Sequence, residues 1–239
     1  MINNSLNFHR AIYSLIIGLL FLVGIVSHGT SRAQTSPPRI LLTWQANSYV
    51  PAGYFGKALP GPSSIVTASV EIIDQGKIAD LSGNNIYWYL DSSLVGSGIG
   101  KKTVNIRAGS RALQETKLMV QIPGYKGGLL FKTIFLFIAS PAAVIEAPYG
   151  AESFRDNSVA VKGVPYFYNV TDLSTLIFNW TVNGQSVPAA TSTEEKSNLT
   201  VSINPDAAQG SRLDIGLTIR DPKERFYHGS GNLRLNLAK

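Results

Sequence analysis

The sequence predicts an all-β protein, built as two tandem sandwiches behind an apolar N-terminal segment. Three observations predict this. Apolar residues recur at every second position in a series of short runs, and the runs of the first half reappear in order in the second half. One long, uninterrupted apolar stretch also lies near the N-terminus.

Alternation is clearest in the second half. Leu176, Phe178, Trp180 and Val182 are separated by Ile177, Asn179 and Thr181, and Asn183-Gly184 follows at once. Side chains on a strand point alternately to its two faces, so this run buries one face, and the Asn-Gly pair suits the positive φ angles of a tight type I′ hairpin. Leu199, Val201 and Ile203 repeat the pattern, as do Leu213, Ile215, Leu217 and Ile219, and finally Leu233, Leu235 and Leu237. A helix would scatter these residues around its circumference, so the half reads as antiparallel β.

The first half follows the same plan. Val66, Ala68, Val70 and Ile72 alternate with polar neighbours, IYWYLD answers FNWTVN, and KTVNI answers LTVSI. Trp88 to Trp180 spans 180 − 88 = 92 residues, Val104 to Val201 spans 97, and Leu118 to Leu213 spans 95. A drift of a few residues is what loop-length variation between duplicated units produces. Each unit holds about seven strands in roughly 100 residues, the size of an immunoglobulin-like β-sandwich. Trp88 and Trp180 are the expected structural core, since a Trp between the sheets buries some 150–250 Å2. The expected domains are residues 38–141 and 142–239, joined at Ser140-Pro141-Ala142 by a linker short enough to favour a fixed angle. Leu129 to Ile145, apolar but interrupted by Lys132 and Pro141, reads as the last strand of the first unit and not as a membrane span.

Residues 1–33 read as a signal peptide or N-terminal membrane anchor. Arg10 precedes the apolar run Ala11–Val26, and Ser31-Arg32-Ala33 offers small residues for cleavage after Ala33. The same segment would serve uncleaved as a membrane tether. Either way the protein is expected to be exported, secreted or anchored at the cell surface.

Composition narrows the function. The chain is 44% hydrophobic but only 15% charged, with a net charge of +6 that falls to 6 − 2 = +4 without Arg10 and Arg32. No dense basic cluster is present to follow a phosphate backbone, so nucleic acid is not an expected partner. The absence of cysteine removes disulfides, thiolate metal sites and cysteine nucleophiles together.

Several longer strings carry a resemblance. LTVSINPDAAQGSRLDIGLTIRD resembles bacterial immunoglobulin-like and PKD-like surface domains. WQANSYVPAGYFGKALP, IYWYLD, GSGIGK and IEAPYG look like exported tandem Ig-like proteins of candidate-phyla (Parcubacteria-type) bacteria. The resemblance implies an exported surface protein, in a family sometimes supposed to accompany surface or pilus machinery.

No catalytic constellation emerges. GSGIGKKT departs from the phosphate-loop pattern, with Val95 in place of the first Gly and Lys102 in place of the hydroxyl residue. His228 is the single histidine beyond the leader, no G-x-S-x-G elbow occurs, and Glu194-Glu195 sits in a polar run read as a solvated loop. Glu146, Glu152 and Asp156 lack the spacing of a calcium loop. The expectation is therefore a protein that is not an enzyme and needs no cofactor or metal.

The better functional candidates are aromatic residues in loops. Tyr49, Tyr54 and Phe55 lie in a Pro/Gly-rich stretch of the first unit, and Tyr166, Phe167 and Tyr168 occupy a similar place in the second. They could form a contact surface, or fold back to close the sandwich ends. The expected partner is an envelope or surface protein, bound through sheet edges or end loops. The alternative is a glycan, bound in an adhesive module through those same rings.

Overall fold

A computed structural model describes residues 36–188, 192–224 and 227–238. The leader and its cleavage position after Ala33 lie outside the described residues. Among the described residues no helix is long and apolar enough to cross a membrane.

The first sandwich uses β1 (Arg39–Ala46), β2 (Ile65–Asp74), β3 (Lys77–Ile78), β4 (Asn85–Leu90), β5 (Ser93–Ile99), β6 (Thr103–Arg107), β7 (Gln114–Tyr125) and β8 (Gly128–Ile138). β2 pairs with β1, β3 and β6 in one sheet, while the other sheet runs β5-β4-β7-β8. Between them lie Val66, Ala68, Val70 and Ile72 of β2, Ile86 and Trp88 of β4, and Leu118, Val120 and Ile122 of β7, all fully buried. The alternating positions of the sequence therefore face one another across the core.

The second sandwich uses β9 (Ala142–Glu146), β10 (Ser153–Phe154), β11 (Ser158–Tyr166), β12 (Ile177–Val182), β13 (Gln185–Ser186), β14 (Asn198–Ser202), β15 (Arg212–Arg220) and β16 (His228–Leu237). Its sheets run β14-β11-β9 and β10-β16-β15-β12-β13. Leu176, Phe178, Trp180, Leu213, Ile215, Leu217 and Ile219 fill a second, separate core. Both units are thus two-sheet β-sandwiches of the immunoglobulin-like kind.

Turn chemistry is duplicated with the strands. Asn183 and Gly184 have φ of 48° and 79°, as the sequence predicts, and three residues past Trp88 the turn residues Asp91 and Ser92 have φ of 46° and 74°. The side-chain oxygen of Asn183 accepts from the Asp214 amide at 2.9 Å, and that of Asp91 accepts from the Lys117 amide at 2.8 Å. Each tight turn is so tied to the strand that runs beside it.

One local reading changes. Glu194-Glu195 is not loop but part of a short helix, α1 (Thr193–Ser197), whose Ser192 and Glu195 form a reciprocal capping box. GSGIGKKT runs from the second half of β5 through the turn at Gly100, φ 65°, to the first residue of β6.

Candidate interaction surface

The predicted aromatic residues are divided by the structure, and most of them build a joint between the sandwiches. Phe167 has a φ of 62°, which turns the chain after β11 toward the first sandwich. There the Tyr49 amide donates to the Tyr168 carbonyl at 2.8 Å, and the Phe167 amide donates to the Tyr49 carbonyl at 2.7 Å. Tyr54 packs edge-on against both Tyr166 and Phe167, with ring centroids 5.8 and 6.0 Å apart. Asn169 Nδ2 adds a bond of 3.3 Å to the Ser63 carbonyl. Backbone crowding makes Gly61 necessary, since a Cβ there would run into the Phe167 carbonyl oxygen.

Tyr168 is not a surface residue. It is buried, its hydroxyl donates to the Ile219 carbonyl at 2.6 Å, and it accepts from the Gly229 amide at 2.8 Å. Burial drives its phenol well above the ordinary tyrosine range, with the charge of Asp221 adding to the effect. Burial also raises the phenol of half-buried Tyr49, helped by neighbouring Tyr166. Of the predicted set, Phe55 alone stands wholly in solvent. Trp88 and Trp180 are both buried.

A second aromatic surface lies on the strand that the sequence reads as the last of the first unit. The outer face of the β5-β4-β7-β8 sheet carries Phe131, Phe135 and Phe137 of β8, exposed by 60%, 62% and 41%. Leu129 extends the row, and Leu94 and Ile99 stand exposed on β5. Register links the strands across the face: Leu94 lies beside Tyr89, Tyr89 beside Met119, and Met119 beside Thr133. Tyr87, Gln121 and Phe131 form the adjoining row. Lys117 and Glu115 pair with Phe135 and Phe137, so charge enters only at one end. A sheet face this apolar is ordinarily covered, and exposed apolar patches of this kind mark contact surfaces.

The signal was present in the sequence. In β8 both parities are apolar, Leu130, Ile134, Leu136 and Ile138 inward and Leu129, Phe131, Phe135 and Phe137 outward. A strand covered on one face only would show polar residues at every second position.

Among the described residues nothing comparable converges elsewhere. A groove of about 470 Å3 over β9, β11 and β14 is lined by Glu146, Lys162, Asn198 and Thr200, open and without an acid–base pair in contact. Asp214, flanked by Arg234 and Arg212, is held below the usual carboxylate range by its hydrogen bonds to them. His228 opens β16, exposed and opposite Arg220.

No protein-family model matches the sequence, and no curated protein matches it. Among solved structures the chain is similar to the three N-terminal domains of the Highly Immunogenic Outer Capsid protein of bacteriophage RB49. Identity is 9% and the TM-score 0.43, over 84% of this chain and 59% of that one. It is also similar to the fibronectin(III)-like modules of Clostridium thermocellum CbhA, at 12% identity, TM-score 0.28, covering 83% and 95% of the two chains. A third is Bacteroides ovatus SGBP-B in complex with a mixed-linkage heptasaccharide, at 11% identity and TM-score 0.26, over 85% and 48%. Similarity of this degree carries nothing about activity or partners.

Proposed function

We propose that this chain is an exported, non-catalytic interaction module of the cell envelope, which binds a protein partner through the outer face of the first sandwich. The observation that carries the reading is the exposed aromatic row Phe131, Phe135 and Phe137 beside Tyr87 and Tyr89. Three phenylalanines held on a rigid strand lose little entropy on contact, and together they offer the kind of aromatic anchors that dominate interface energetics. The export part rests on the apolar run Ala11–Val26 and the small residues before Gln34.

The two units act as separate folding domains, 38–141 and 142–239, held at one angle by the Tyr49–Tyr168 joint. Tyr54, Tyr166 and Phe167 pack on one another and Tyr168 is buried, which weighs for a protein on the β8 face over a glycan bound by those rings.

The test is retention of a solubilised envelope protein on immobilised residues 34–239, which hold every described strand and both cores. Phe131→Ser combined with Phe135→Ser should abolish retention while leaving the melting temperature within a few degrees. Undiminished retention, or retention of wall glycan only, would reject the face as a protein-binding surface.

A further inference from the structure

We propose that the free edge of β8 is a strand-addition site for an extended, acidic segment of a partner protein. The ladder fixes which backbone groups face that edge. The Asp91 amide donates to the Lys117 carbonyl at 2.9 Å, so Lys117 directs its backbone toward β4. Antiparallel strands alternate, so Leu118 and Val120 direct theirs toward β8, where their partners are Ile134 and Lys132. Phe131, Thr133, Phe135 and Phe137 therefore turn their N–H and C=O groups away from β7, to the side where no described strand pairs. Ala139 continues the alternation and donates outward to the Pro60 carbonyl at 2.8 Å, which closes the edge only at its end.

The duplicated unit makes the contrast. β16 stands in the place of β8, and its outer edge is partly covered. β10 pairs with it through Ser153–Asn236 and Phe154–Leu237, while the Ala142–Ala143 backbone packs over the side-chain face of Gly229 and Gly231 and not at the edge. Among the described residues no strand hydrogen-bonds to β8 on that side, although β1 of the facing sheet passes close to it. An unpaired edge on a strand of eleven residues is a template for pairing.

Lys132 selects the occupant. It is the only charged residue of β8, exposed, and on the core side of the strand, where no described carboxylate pairs with it. In a symmetric pairing of two copies about Thr133, each Lys132 lies diagonal to its own counterpart, and like charges so placed repel. A foreign strand with Asp or Glu at that position gains where a second copy loses. The same strand would extend the aromatic face with its outward side chains, so the edge and the face serve one partner. This inference rests on the first sandwich being the contact domain.

The experiment titrates the full chain in non-ionic detergent with a labelled nine-residue peptide of alternating threonine and valine. One form has glutamate at its centre and the other lysine, and fluorescence anisotropy is the readout. The glutamate peptide should bind saturably and about fivefold more tightly than the lysine peptide, the size set by one cross-strand ion pair gained and one repulsion avoided. Lys132→Glu should reverse that order, and Thr133→Pro, which removes an outward N–H but no ladder bond, should abolish both. The reversal remains decisive even where the proline lowers the melting temperature. Absence of saturable binding, an unreversed order, or a dimer that Thr133→Pro dissolves would each overturn the proposal. Envelope retention that survives Thr133→Pro but not the phenylalanine substitutions would overturn the edge site and leave the contact face standing.

Discussion

The indole Nε1 of Trp88 donates to the carbonyl of Lys101 at 2.9 Å, two residues before β6 begins. Trp180 repeats the bond to Lys196, also at 2.9 Å and also two residues before the next long strand, β14. The duplication thus reaches down to one hydrogen bond, which fixes each ring between its sheets and anchors the chain as it crosses from one sheet to the other.

Trp88→Ala and Trp180→Ala should each cost about 3–5 kcal/mol, as expected for removal of a buried aromatic. Trp88→Phe keeps most of the apolar contact but strands the Lys101 carbonyl, and should cost about 1–3 kcal/mol. Urea denaturation followed by circular dichroism checks both. Alanine variants as stable as the parent would place the rings outside the cores.

At the joint, Gly61→Ala drives a methyl group into the Phe167 carbonyl. Overpacking against backbone costs about 1–3 kcal/mol, and here it should act mainly by separating the sandwiches. Calorimetry should show two melting transitions in the variant where the parent melts closer to one. An unchanged single transition would mean that the joint does not couple the units.

Tyr168 predicts behaviour in alkali. Its phenol is raised in the folded chain by burial, so the unfolded chain releases this proton at lower pH than the folded one. The stability it contributes is present below the ordinary tyrosine value near 10 and is lost as pH rises above it. Tyr168→Phe should flatten that loss and, by removing the hydroxyl's bonds to the Ile219 carbonyl and from the Gly229 amide, cost about 1–3 kcal/mol at neutral pH. Melting temperatures between pH 8 and pH 11, taken on both proteins, would reveal it.

Asp74 predicts the acid limb. Its carboxyl is lowered by hydrogen bonds from Lys126 and Tyr125 at the tip of the β7–β8 hairpin. Stability from this contact is present above the ordinary carboxylate range and declines as pH falls through the lowered value. Asp74→Asn should therefore lessen the pH dependence of melting in acid, and an unaltered acid limb would deny the contact any weight.

Much of this fold could be read from residue order. Alternation located the buried faces of β2, β7, β12 and β15, because each of those strands covers one core and carries mostly polar residues outward. Asn183-Gly184 announced its turn, whereas Asp91-Ser92 adopts the same positive φ angles without a glycine to signal it. The joint was not legible. Tyr49 meets Tyr168 across a long stretch of chain, and no local pattern separates a ring that binds a partner from one that binds a distant loop. The exposed outer face of β8 was not legible either, for a physical reason. Apolar residues on both parities signify two covered faces, and sequence cannot say that the second cover belongs to another molecule.

Residue-resolved NMR on isotope-labelled residues 34–239, titrated with solubilised envelope protein, tests the central claim most directly. The account predicts signal loss concentrated at Tyr87, Tyr89, Phe131, Thr133, Phe135 and Phe137, with β11 and β15 unaffected. Signal loss centred on the second sandwich, or spread evenly over both, would contradict it.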